Sequence, residues 1–225
     1  RARRTKASVP AKLVFPDDFR PDFEGFGREA FGFLGDLARH NERAWFAARR
    51  GVYDTELRFP MECLVAEFRP GAAGDGLPVR GDPAKSLFRI HRDVRFSKDK
   101  SPYKTHVGAI LSRTGARSEP GVVYIQIAPG NCFVSAGFWR LDAAPLAAWR
   151  GRMAEDPRTW LDIAGAYADP DGEVFMRTIS ALKTMPRGFR DHADSPVAEF
   201  LRWKSYPLTR RVSDRRARDP SPGGT

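Results

Sequence analysis

Apolar and polar positions change rhythm once along the chain, near residue 86. Before that point apolar residues recur every three or four positions; after it they alternate. Ala30, Phe31, Leu34, Leu37 and Ala38 sit at helical spacing, which predicts a helix over Arg28–Arg39. His40–Asn41 breaks it. Asn41 reads as the N-cap of a second helix, with Glu42 at its positive end. That helix is expected to run to about Phe59 and to bury Trp45, Ala48, Val52 and Tyr53. Pro60 kinks it or opens a new helix with Met61, Leu64, Val65 and Phe68 on one face. Pro70–Pro83 is glycine-rich and reads as a loop.

From Leu87 to Phe96 the period is two. Phe88, Ile90, Val94 and Phe96 fall on one side, and Arg89, His91, Asp93 and Arg95 on the other, as in a half-buried strand. Arg92 falls on the apolar side, so either a bulge re-aims it or it is buried with a partner. Ser97–Pro102 reads as a polar turn. His106–Ser112, Gly121–Ala128 and Cys132–Trp139 read as three further strands, the last two joined by Pro129-Gly130-Asn131. Helices resume at Pro145–Glu155 and Pro157–Tyr167, with Asp156 as the second start signal. Glu173–Leu182 reads as helix or strand. Ser195-Pro196 opens a short helix that buries Phe200, Leu201 and Trp203.

Short connections imply an antiparallel meander. The expected fold is α+β, a sheet of about four to six strands with helices packed on it. One domain would span 22–208: helical over 28–69, sheet over 86–140, helical or mixed over 144–208. A flexible basic arm at 1–21 and a disordered basic tail at 209–225 would flank it.

Composition supports a packed core, with 16 Phe, 5 Trp and 41% hydrophobic residues among 225. No apolar run approaches the roughly 20 residues of a membrane span, and the N-terminus shows no apolar signal region. A cytoplasmic protein with no membrane association is therefore expected. Cys63 and Cys132 read as reduced core thiols.

Charge changes the picture through its placement. Of the net +10, the first twelve residues carry +5 and residues 210–219 carry +3. The rest is close to neutral except for one cluster: Lys85–Lys104 holds seven Lys and Arg against Asp93 and Asp99. A uniformly basic nucleic-acid binder would look different. Arg89 and Arg95 would share a polar strand face, and Arg presents a planar fork suited to phosphate or carboxylate. Arg92 adds a third fork. Lys98, Lys100 and Lys104 would close over an anion as point charges, with Ser97 and Tyr103 adding neutral hydrogen bonds. Were the protein an enzyme, His91, Asp93 or His106 would transfer the proton and Tyr103 would assist. The opposing reading is a structural lattice of ion pairs around Asp93 and Asp99. No metal site is expected, because the set lacks ligand spacing and the surrounding charge repels cations. No GxGxxG, GKS/T or GxSxG signature points to a cofactor or nucleophile. Trp45, Phe46 and Tyr53 read as core packing ahead of a base-stacking platform.

Four segments carry a resemblance. FEGFGREAFGFLGDLARHNERAWFAARRGVY, FRIHRDVRFSKDKSPYKTHVGA, GVVYIQIAPGNCFVSAGFW and MPRGFRDHADSPVAEFLRWKSY resemble domain of unknown function family 2461, found in bacteria and fungi. The resemblance covers about Phe23–Tyr206. Its central motif is matched at Arg89, Arg92, Asp93, Arg95, Phe96, Ser97, Asp99, Lys100, Pro102, Tyr103 and Lys104. Its first motif is matched at Asn41, Trp45, Phe46 and Arg49. It implies a single-domain cytosolic protein and brings no activity with it. Three readings follow: a protein binding an anionic small molecule at the motif; a nucleic-acid-associated module using the basic arms and the same cluster; and an interaction protein whose motif is a structural lattice.

Overall fold

Strands expected from short apolar runs between turns form in the middle of the chain. The computed structural model describes residues 22–68, 78–139 and 141–219, and within them β1 (Val107–Ser112), β2 (Gly121–Ile127) and β3 (Cys132–Phe138) form an antiparallel meander. Gly130 takes φ +68° in the β2–β3 turn, where Asn131 N–H donates to Ala128 O at 2.9 Å. Two further strands, β4 (Val174–Met176) and β5 (Tyr206–Val212), extend the sheet to the order β1-β2-β3-β5-β4, antiparallel throughout. β5 comes last in the chain yet lies between β3 and β4, so only the first three strands are a simple meander.

The register sorts the side chains. Val107, Ala109 and Leu111 lie opposite Ile127, Ile125 and Val123, and Val134 lies opposite Ile125. This face is covered by α1 (Arg28–Arg39), α2 (Arg43–Ala48), α3 (Arg50–Tyr53) and α4 (Phe59–Glu67), whose Phe33, Leu34, Leu37, Phe46 and Met61 are buried, as is Leu57 between α3 and α4. Farther along the same face, Phe138, Met176 and Tyr206 pack with α5 (Ala143–Glu155), α6 (Pro157–Gly165) and α7 (Ala198–Arg202) through Met153, Trp160 and Leu201. The other face is half-solvated, as is usual when helices cover one side only. There Ser135 and Thr209 hydroxyls meet at 2.9 Å, and the Arg211 guanidinium lies 4.8 Å from the Phe175 ring. The molecule is thus a single α+β domain with an open five-stranded sheet. Among the described residues no helix is long and apolar enough to cross a membrane.

Helix starts behaved as local chemistry dictates in one place and not in another. The Asp156 side chain accepts from Thr159 N–H at 3.1 Å and caps α6. Asn41 does not cap α2; Glu42 holds that position without a side-chain bond. The long helix expected from residue 42 to Phe59 is broken at Arg49 and passes through a π turn, Asp54–Arg58, before Pro60 sits in the first turn of α4. Proline has no N–H to continue the regular ladder. Asp54, Arg58 and Glu62 are buried there as an i,i+4 series, Arg58 donating at 2.8 Å and 2.7 Å. Ala38 and Ala48, expected inside, are exposed, while Phe33 and Phe46 take the core positions.

Two larger expectations are corrected. Leu87–Phe96 is not a continuous strand; isolated bridges join Leu87 to Ala109 and His91 to Tyr103. The chain first pairs with β1, Phe88 N–H donating to Gly108 O at 2.9 Å. It then folds back on its own return segment, whose Pro102 offers a carbonyl but no N–H. The segment after Leu208 is not a disordered tail up to residue 219. β5 continues to Val212, and α8 (Asp214–Arg218) follows, capped by the Ser213 hydroxyl and anchored by buried Ala217. Sheet pairing with β3 outweighs the basic composition. The arm at 1–21, residues 70–77 of the glycine-rich loop and residues 220–225 of the tail lie outside the described residues.

Gly137 takes φ +138°, and a Cβ there would drive into the carbonyl of Tyr206 on β5. Gly137→Ala is expected to cost about 2 kcal/mol or more. Gly130→Ala, with open space around its Cβ direction, should cost about 1 kcal/mol. Urea denaturation of the two variants measures the difference.

Candidate functional site

The site hairpin starts from two backbone bonds. Arg92 N–H donates to Pro102 O at 2.9 Å and Lys104 N–H to Ile90 O at 2.8 Å, with His91 and Tyr103 bridged between them. The Asn41 amide attaches this hairpin to the helical layer. Its Nδ2 donates to Tyr103 O at 3.0 Å and its Oδ1 accepts Tyr103 N–H at 3.0 Å, as a neighbouring strand would. The Tyr103 ring is buried and stacked 4.2 Å from Phe46. Tyr103, expected to assist chemistry, is in the first place a packing residue, and Phe46 and Tyr53 are core.

The loop 93–101 uses its charges on itself. Arg92 pairs with Asp99 across the neck of the loop and donates to Ser101 O at 3.3 Å and Ser97 Oγ at 3.5 Å. Asp99 also accepts from Ser101 N–H at 2.8 Å and Ser101 Oγ at 2.6 Å. These Ser101 bonds, then Arg92, hold its carboxyl well below the usual range. Arg95 forks onto Asp93 through Nε at 2.9 Å and Nη2 at 2.7 Å, which lowers the Asp93 carboxyl. Lys100 Nζ donates to Val94 O at 3.0 Å. Arg92 is therefore neither on a bulged strand nor deeply buried; its side chain is 27% exposed and its Asp99 partner 58%. Phe96, placed by alternation on the buried side, is 96% exposed at the tip of the loop. Lys98 is exposed beside it.

The arms of the hairpin carry a different set. Lys104 Nζ donates to Arg89 O at 3.0 Å and sits 5.3 Å from the Phe88 ring. Arg117 lies 4.2 Å from the same ring and donates through Nη2 to Leu87 O at 2.9 Å. Burial, then Arg89 and Arg117, pulls the Lys104 ammonium below its ordinary range. His91, whose ring lies against Phe46 and Tyr103, is pulled down by burial and then by Arg50, Arg89 and Arg43. His106 is pulled down by burial and Lys104. Arg50 reaches Asp54 at 3.5 Å. Among the described residues, Arg43, Arg89, Lys104 and Arg117 have no carboxylate partner.

Sequence reasoning placed Arg89, His91, Lys104 and His106 in this region. It placed Arg92, Arg95, Ser97 and Lys100 there too, and these close the loop instead. It missed Arg43, Arg50 and Arg117, which reach the site from elements distant in sequence and carry no motif of their own. His91, Asp93 and His106 do not form one constellation: the Asp93 carboxylate faces Arg95, and no hydrogen bond joins the three among the described residues. Nor does any group of three or more His, Cys, Asp or Glu there have the arrangement of a metal site. Cavities of about 340 and 630 Å³ lie elsewhere, lined by no residue of the motif.

Asn41→Ala leaves both backbone groups of Tyr103 without their partner and is expected to cost about 2 kcal/mol in chemical denaturation. Arg92→Met should leave the denaturation midpoint nearly unchanged, because its partner is solvated. It should instead speed amide exchange across 93–101 by at least about tenfold. A large midpoint loss with unchanged exchange would assign Arg92 to the core.

No curated protein and no solved structure matches the chain. Residues 29–222, most of the chain, match the family described as conserved hypothetical protein (DUF2461), and the chain belongs to that family.

Proposed function

We propose that the protein binds a phosphate- or carboxylate-bearing small molecule on the patch of Arg89, Lys104 and Arg117, with His91 and Arg43 at its edge. The observation that carries this reading is a group of cations gathered on one aromatic ring, where burial, Arg89 and Arg117 depress the Lys104 ammonium and burial, Arg50, Arg89 and Arg43 depress His91, while no carboxylate among the described residues answers them. Like charges held together cost free energy unless an anion offsets them. The guanidinium forks of Arg89 and Arg117 suit a tetrahedral or planar oxyanion, and Lys104 supplies a point charge between them. The ring of Phe88 fixes Lys104 and Arg117 by cation–π contact, so less side-chain freedom is lost on binding.

An enzymatic role would draw on His91, which edges the patch, ahead of Asp93, which Arg95 closes. The nucleic-acid reading loses support from residues 210–218. Arg210 binds Glu173 at 2.6 Å, Arg211 donates to Pro170 O at 2.6 Å, and Arg218 donates to Asp214 O at 3.2 Å. Those arginines brace the sheet edge and α8.

Calorimetric titration with inorganic phosphate and with citrate tests the reading. Arg89→Ala, Lys104→Ala and Arg117→Ala should each weaken binding about tenfold or more, whereas Arg95→Ala should have little effect. His91 is neutral above its depressed pKa, and a bound anion raises that pKa. Binding therefore takes up a proton, and the affinity for sulfate, whose own charge stays constant in this range, should tighten as pH falls below about 6.5. His91→Gln should flatten that dependence. Equal binding by wild type and the three patch variants sinks the proposal.

A further inference from the structure

The loop 93–101 is built to present one side chain. Arg92, Asp93, Arg95, Ser97, Asp99, Lys100 and Ser101 are engaged in holding its shape. What they hold out is Phe96, 96% exposed, with the Arg95 guanidinium 5.8 Å from its ring. A folded chain gains by burying a phenyl group, and here the backbone is tied so that it stays in water. Such a tip fits a partner with an apolar pocket.

The charges around the tip narrow the partner. A phosphate backbone or an anionic bilayer is gripped by several unspent cations at once. In this loop Arg92 and Arg95 already face carboxylates and Lys100 faces a carbonyl, leaving Lys98 as the cation without a partner among the described residues. A single phenyl ring and one lysine call for an apolar pocket with an acidic rim.

This chain carries such a pocket in its second group of helices. Between α5 and α6 lies a cavity of about 340 Å³ floored by Trp149, Met153 and Trp160. Cavities of about 150 Å³ accept benzene, so there is room for a phenyl ring. At its rim stand Ile163, itself 46% exposed, and the carboxylates Glu155 and Asp156. Arg152 also lines it, leaving one negative charge in excess. Asp156 is engaged as the cap of Thr159, so Glu155 is the acid positioned for Lys98.

We infer that Phe96 of one copy of this chain seats in the Trp149–Trp160 cavity of a second copy, with Lys98 facing Glu155. Tip and cavity are different surfaces, so the contact is head-to-tail and propagates beyond two copies unless its rotation closes a ring. The anion patch takes no part in it, so either proposal can fail alone.

Sedimentation velocity from about 10 μM to about 1 mM tests it, a range that reaches weak contacts of this size. The wild-type chain should show a mass rising with concentration above the monomer. Phe96→Ala removes the tip, and Ile163→Arg blocks the cavity and opposes Lys98. Each variant alone should stay monomeric, with an unchanged melting temperature because both positions are exposed. Mixed in equal amounts they should form a one-to-one dimer that grows no further, because one supplies the intact tip and the other the intact cavity. A wild-type chain that stays monomeric throughout, a variant that associates like wild type, or a mixture that behaves as its components would each overturn the inference.

Discussion

The arrangement of the site depends on one side-chain amide. Asn41 pairs with both backbone groups of Tyr103 and so ties the hairpin at residues 90–104 to the helices at 43–67. Tyr103 then stacks on Phe46, and His91 lies 5.1 Å from the Tyr103 ring. Arg43 and Arg50 act on His91 because this joint brings their helices to it. An amide does here what a neighbouring strand would do, with neutral hydrogen bonds that salt does not screen.

Around that joint the basic motif divides by solvation. In the loop, guanidinium groups and carboxylates lie close in sequence and stand in water, where ion pairs fix shape more than they add stability. On the arms, cations approach one another against an aromatic ring, partly out of water and without an acid between them. The first half makes a rigid projection and the second a positive surface. Reading Arg89, Arg92, Arg95, Lys98, Lys100 and Lys104 as one pocket merges two structures with different energetics.

The sheet explains why both structures sit at the edge of the domain. Its helices occupy one face in two groups, and the hairpin leaves β1 after brief pairing. The C-terminal arginines, which look like an unstructured tail by composition, are held because β5 fills the place beside β3. Seven consecutive partners from Cys132–Val212 to Phe138–Tyr206 secure it.

Local chemistry made much of this legible in advance. Short apolar runs between turn signals marked β1, β2 and β3, the Pro129-Gly130-Asn131 turn joined two of them, and Asp156-Pro157 opened α6. Each of these depends on residues within a few positions of one another, where periodicity and turn chemistry act directly. The sequence alone also determined which residues bear the charges of the motif. Only the tertiary structure decided which of those charges are answered. Whether Arg95 meets Asp93 or a ligand, whether Asn41 caps a helix or clamps Tyr103, and whether Phe96 is buried or held out all depend on chain segments meeting from far apart. Burial and Coulomb energy are set by distance and solvent, and neither is written in sequence spacing.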